Sequence, residues 1–199
     1  VVYVPRDYSA DRKWPVILFL HGAGERGTDG LKQSQVGIGT AVRLYPERYP
    51  AVVVMPQCAP NQRWDGAMAE FAMKALDQTV AELNGDPDRL YLTGLSMGGS
   101  GSWYLGTRYP EKFAAIVSIC GRGEVSEISS KLRNVPIWVF VGDKDRPETV
   151  QFAREVSAAL KAAGNERAKY TEYPGVPHNS WDPAYAEKSL AEWLFAQKR

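Results

Sequence analysis

Cysteine and histidine are scarce in this 199-residue chain, which has only Cys58, Cys120, His21 and His178. There is no Cys-x-x-Cys pair, so a structural zinc site is not expected, and neither is any other metal or cofactor. Two cysteines cannot build a multi-bridge framework; two free, partly buried thiols are favoured over a single disulfide. An excess of one charge is also missing. The formal net charge of +1 gives no handle for nucleic acid or an anionic membrane as partner. Long apolar runs are absent. The longest, Val16–Leu20, is strand-sized and far short of the roughly 18 residues of a membrane span. Internal repeats, low-complexity linkers, an initiating methionine and a signal peptide are lacking too. The opening Val1-Val2-Tyr3-Val4 reads as the inside of a strand, and the expectation is one domain over residues 1–199, truncated at its N-terminus.

What is present is a regular alternation. Hydrophobic residues make up 44% of the chain, enough for one core. Short apolar runs at Val16–Leu20, Ala51–Met55, Arg89–Thr93, Ala115–Ile119 and Ile137–Val141 fit strands buried on both faces. A more polar run, Ala168–Tyr173, suits an edge. Between them, helical spacing is visible over Ala67–Leu83, Ser96–Arg108, Glu148–Ala163 and Pro183–Gln197. The first helix stops at the breaker cluster Asn84-Gly85-Asp86-Pro87, and the third meets Gly164-Asn165. The alternation predicts a three-layer α/β/α fold with a doubly wound, mostly parallel sheet.

Thr93-Gly94-Leu95-Ser96-Met97-Gly98-Gly99 lies between the third strand and a helix. The five-residue pattern Gly-x-Ser-x-Gly is weak alone, but a strand before it and a helix after it are the context it requires. A serine on such a strained turn projects its hydroxyl above the sheet edge, and glycines on either side avoid collisions with backbone. A phosphate-binding glycine turn is the competing reading. Nucleophilic serine needs a base, usually histidine. With this motif the acid and then the base follow the serine along the chain, which admits only His178. His21 is assigned to orienting the loop after the first strand. Asp143 and Asp145 both follow the fifth strand. Asp145, deeper in the turn, is preferred as the acid, and Asp143 is expected to brace the turn. Asp182 is expected to cap the last helix, with Pro183 at its first position.

An acyl transfer also needs donors for a tetrahedral oxyanion. The Met97 N–H is one. The loop His21-Gly22-Ala23-Gly24-Glu25-Arg26-Gly27 supplies the other, with Ala23 first and Gly24 second. Glu25 and Arg26 either pair with neighbours to stiffen that loop or are solvated. Trp64 and Trp181 could wall an acyl or aromatic pocket. Cys120 and Gly121 lie at the end of a strand, where ligands bind in such sheets.

With these phrases, and with Met55-Pro56-Gln57-Cys58 and His178-Asn179-Ser180-Trp181-Asp182, the chain resembles the α/β-hydrolase superfamily. More narrowly it is similar to esterases of the dienelactone hydrolase, polyhydroxybutyrate depolymerase and feruloyl esterase branch. Some bacterial relatives carry an N-terminal immunoglobulin-like domain. The resemblance implies a serine carboxylesterase using an acyl-enzyme intermediate, a further N-terminal domain and, often, secretion. Two departures stand out: Val141 occupies a position that is often histidine, and the first strand of an eight-stranded family sheet is not visible. The stretch Gly121–Pro136 is too short for a cap domain. An open site favours small soluble or polymer-linked esters with short-chain or aromatic acyl groups, including feruloyl, acetylxylan or polyester substrates. A prolyl-oligopeptidase-like serine peptidase and a non-catalytic binding module are the competing classes. The oligomeric state is not legible.

Overall fold

The computed structural model describes residues 1–199. One sheet holds seven strands: β1 (Val2–Tyr3), β2 (Trp14–Leu20), β3 (Val52–Val54), β4 (Gly85–Leu95), β5 (Ala115–Ile119), β6 (Ile137–Gly142) and β7 (Ala168–Tyr173). Their spatial order is β1-β3-β2-β4-β5-β6-β7. All neighbours are parallel except β1, which runs antiparallel to β3 at one edge. The helices are α1 (Ile38–Leu44), α2 (Gly66–Glu82), α3 (Met97–Arg108), α4 (Val125–Lys131), α5 (Pro147–Ala162), α6 (Trp181–Ala186) and α7 (Lys188–Phe195).

The central strands have no solvent face. All seven residues of β2 are buried, and the two faces of the strand feed separate cores. Val16, Leu18 and Leu20 pack with Leu76 of α2, Trp103 of α3, Ile128 of α4 and Val156 of α5. Ile17 and Phe19 pack with Ile38 of α1, Tyr185 of α6 and Leu194 of α7. Each such side chain contributes roughly 1.5–3 kcal/mol by leaving water. This is the expected three-layer α/β/α architecture.

Four differences from the sequence expectations have local causes. The last helix is broken rather than continuous over Pro183–Gln197. Glu187 is extended at φ −69°, ψ 123°, and its carboxylate accepts hydrogen bonds from Tyr173 Oη at 2.6 Å and Ser189 Oγ at 2.9 Å. Asp182 does not cap that helix. It lies in the first turn of α6, after an N-cap at Ser180 that makes no side-chain cap bond, and accepts from Asn179 Nδ2 at 3.1 Å. The cluster after α2 does end that helix, but β4 begins within it because Gly85 pairs with Trp14 before a register shift. Finally, α1 and α4 arise where no helix was expected. α4 buries only Ile128, so it carries little apolar periodicity.

Candidate active site

Ser96 occupies the turn between β4 and α3 at φ 53°, ψ −114°. A non-glycine residue there costs of order 1–3 kcal/mol and is held by its surroundings. Its N–H donates to the Ile119 carbonyl of β5 at 2.9 Å. A Cβ on Gly94 would come within 2.2 Å of the Gly98 carbonyl oxygen, and one on Gly98 within 1.8 Å of the Leu20 carbonyl oxygen. Both glycines are therefore required by backbone contact, which lets α3 start directly against β2 and β4.

Two further strand ends bring the other groups to this turn. Asp145 follows β6 and His178 follows β7. The Ser96 hydroxyl donates to His178 Nε2 at 2.9 Å. On the far side of the ring, Nδ1–H donates to both oxygens of the Asp145 carboxylate at 2.8 and 2.9 Å. Two acceptors at Nδ1 assign the proton there and leave the Nε2 lone pair facing the serine. The Asp145 side chain is fully buried, and the His178 side chain is 34% exposed. Arg146 N–H also donates to Asp145 Oδ1, at 2.6 Å.

Asp143 does not reach the histidine. Its Oδ1 accepts from the Gly175 N–H at 2.7 Å, bracing the turn against the loop after β7. Asp143 N–H and Lys144 N–H donate to the carbonyls of Tyr173 and Val176, each at 3.0 Å. The acid-bearing and histidine-bearing loops are thus bonded to each other along the backbone.

The Met97 N–H is the first of α3, where no intrahelical acceptor exists and the helix dipole favours an anion. Across from it, Ala23 opens a short 3-10 turn, Ala23–Glu25, and both Ala23 and Gly24 are exposed. Gly22 brings this loop against the serine: a Cβ there would lie 3.7 Å from Ser96 Cβ. His21 is fully buried beneath. Its Nδ1 donates to the Gly22 carbonyl at 2.6 Å, and its Nε2 accepts the Cys58 N–H at 2.9 Å. Burial holds its pKa down at about 4, so the ring is neutral. Glu25 and Arg26 are half-buried rather than solvated, and each meets a neighbour. The Glu25 carbonyl accepts from Gln57 Nε2 at 3.0 Å, and Arg26 Nη2 donates to Met97 Sδ at 2.9 Å. That contact ties the two candidate donor loops together.

Trp64 is 2% exposed. Its indole N–H donates to the His21 carbonyl at 2.9 Å, and its ring packs edge-on against His21 at 5.0 Å. Trp181 is half-buried and meets the His178 ring edge-on at 5.6 Å. A cavity of about 190 Å³ opens beside α3, lined by Trp64, Met97, Ser100, Trp103, Tyr104 and Arg122, among others. Trp103, Tyr104 and Arg122 were not singled out in the sequence. The signal was the spacing Ser100, Trp103, Tyr104, Thr107 along one face of the helix that follows the serine. Both cysteines are free and buried. Cys120 is at φ 45°, and burial pushes its thiol up to about 12. The segment between β5 and β6 holds only the seven-residue α4, so no cap covers the serine. No helix is long and apolar enough to cross a membrane.

Known proteins resemble this chain along its length. The family model for Esterase matches residues 1–194. A solved structure described as a thermostable esterase is 36% identical, with a TM-score of 0.88 over 100% of this chain and 58% of that one. A ferulic acid esterase structure at 18% identity shares the fold, with a TM-score of 0.77 over 98% of this chain and 91% of that one. A curated endo-1,4-beta-xylanase/feruloyl esterase of Xylanibacter ruminicola is 29% identical over 181 residues, which are 82% of this chain and 24% of that protein. The chain thus spans about a quarter of the length of that curated relative.

Proposed function

The chain belongs to the Esterase family, and from that premise we propose that it hydrolyses carboxylic esters by a serine mechanism. Ser96 Oγ attacks the acyl carbon while His178 Nε2 takes its proton. Asp145 holds the imidazole in the productive tautomer and stabilises the imidazolium. The Met97 and Ala23 N–H groups receive the developing oxyanion, with Gly24 as the second choice for the latter. Loss of one such donor typically costs about 2.7–4 kcal/mol of transition-state stabilisation. Collapse of the tetrahedral adduct expels the alcohol, protonated by His178, and leaves an acyl-serine. Water then repeats the sequence with the same base.

The observation that carries this reading is the unbroken hydrogen-bond chain from Ser96 Oγ through His178 to Asp145, at 2.9 and 2.8 Å. Short-chain or aromatic acyl groups are the proposed substrates, feruloyl and acetyl esters on a polymer among them. The uncapped site, Trp181 beside the base and the names of the feruloyl esterase relatives support that choice. Secretion belongs to the same proposal and rests on the family resemblance.

The test is an ester panel. Turnover of p-nitrophenyl acetate, p-nitrophenyl butyrate and methyl ferulate is expected to exceed that of long-chain esters. Ser96→Ala should lower kcat by about 10⁴-fold or more, the range seen when a nucleophile is removed from such a triad. A rate unchanged in Ser96→Ala would overturn the assignment of the nucleophile.

A further inference from the structure

Hydrolysis as described leaves one metal-ligating side chain beside the catalytic groups without a task. Cys120 follows β5 directly and lies buried beside the Asp145–His178 pair. Its Sγ, a carboxylate oxygen of Asp145 and a ring nitrogen of His178 all lie within 4.8 Å of one another. The three come from three different loops, so no spacing in the sequence announces them. Cys120 holds a left-handed backbone conformation at φ 45°, unusual for a side chain other than glycine, asparagine or aspartate. Beside the thiol lies the Ser180 hydroxyl, which is fully buried and has no hydrogen-bond partner.

We propose that Cys120, Asp145 and His178 form a binding site for a soft divalent cation, Zn²⁺ or Cd²⁺, and that filling it switches hydrolysis off. The inhibitory half rests on the serine mechanism above; the binding half does not. Thiolate, imidazole and carboxylate are the donor types that zinc takes, with water as a fourth ligand. Ligand atoms on one tetrahedral zinc stand roughly 3–4 Å apart, so the 2.8 Å contact between His178 and Asp145 opens slightly and the spacing to Sγ, at most 4.8 Å, closes. The Ser180 hydroxyl is placed to donate to the thiolate as an outer partner. The partly exposed His178 gives the ion its entry.

The proton count explains the inhibition. Cys120 releases its S–H proton to solvent on binding the ion, and nothing is oxidised or reduced. The imidazole nitrogen facing Asp145 is Nδ1, and it must offer a lone pair to the metal. Its proton therefore moves to Nε2 and the ring stays neutral. Nε2 then has no lone pair for the Ser96 proton. The carboxylate, now a ligand, no longer steadies an imidazolium. A cation at this place removes the base without touching the nucleophile.

The experiment titrates ZnCl₂ into the wild type, Cys120→Ala, Cys120→Ser and Cys58→Ala in a non-chelating buffer, with each rate normalised to that variant's own metal-free rate. Inhibition of the wild type and Cys58→Ala, reversed by EDTA, is expected. The Cys120 variants should need at least about tenfold more zinc, the low end of what losing even an outer-shell partner costs in affinity. A second readout does not depend on activity. Co²⁺ should give a near-ultraviolet sulfur-to-cobalt charge-transfer band in the wild type and in Ser96→Ala, and none in Cys120→Ala. Equal zinc sensitivity in the wild type and the Cys120 variants overturns the switch. The absence of the cobalt band from Ser96→Ala and the wild type alike overturns the site. A band that persists in a chain whose Ser96→Ala variant still hydrolyses esters at full rate keeps the site and rejects only the serine mechanism.

Discussion

At the scale of single residues, two neighbouring carboxylates divide two jobs. Asp145 is buried against His178, while Asp143 braces a turn through the Gly175 N–H. Asp145→Asn should therefore lower kcat by about 10⁴-fold, because an amide no longer selects the Nδ1–H tautomer. Asp143→Asn keeps an oxygen acceptor and should leave kcat within about threefold of wild type, in keeping with a neutral hydrogen bond worth roughly 1 kcal/mol or less. Steady-state kinetics on p-nitrophenyl butyrate separates the two. His21 makes a different prediction. Its pKa is held near 4 in the fold against 6.5 for an ordinary histidine, chiefly by burial. The unfolded chain thus binds this proton first as pH falls. The stability that His21 contributes is complete above pH 6.5 and drains away between 6.5 and about 4. The slope is up to about 1.4 kcal/mol per pH unit. Asp29 and Glu172, both held near 2 against ordinary values of 3.8 and 4.5, lose their contributions mainly below pH 4.5, where the measurement stops. Urea unfolding midpoints measured from pH 7 to 4.5 should fall in the wild type and flatten in His21→Gln.

At the scale of elements, the turn before α3 is fixed by backbone approach. A methyl group on Gly98 would meet the Leu20 carbonyl at 1.8 Å, whereas Gly24 has no heavy atom within 4 Å of such a methyl. Gly98→Ala should cost at least about 3 kcal/mol, the upper end of ordinary overpacking, because a strand carbonyl cannot swing aside. Gly24→Ala should be near neutral in stability, and denaturant midpoints compare the two. These elements also show what was legible in the chain before its structure. The buried strands announce themselves as apolar runs, and the strand–Gly-x-Ser-x-Gly–helix succession locates Ser96 because both flanks are periodic. α4 was not legible, since only Ile128 of its residues is buried. α1 was missed although Ile38, Ala41 and Val42 fall on one buried face; seven residues after a left-handed Gly37 give a short signal. The break at Glu187 was hidden because Tyr185, Leu190 and Leu194 all face one core and read as a single stripe. Cys120 was legible as a residue at a ligand-binding strand end, but its place beside His178 was not, because its neighbours are set by strand order and not by distance along the chain.

At the scale of the whole molecule, the seven-strand sheet leaves its C-terminal edge uncovered over Ser96. The only element between β5 and β6 is α4, so no segment must open for substrate to enter. Rates on p-nitrophenyl butyrate should rise hyperbolically with concentration and show no jump where the ester leaves solution as droplets. An assay carried across that boundary checks this; a sharp rise there would reveal a moving lid. The same architecture has a temporal side. The bond from Ser96 to His178 joins positions 82 apart, and β5 and β6 lie between β4 and β7 in the sheet. Contacts of such separation are slow to form, because loop closure must precede any gain from pairing. Ser96 can meet His178 only after the outermost strand, β7, has docked. In a refolding chain, the proposed ester turnover should therefore be a clock hand that moves last, its return dating the closing of β7 against β6.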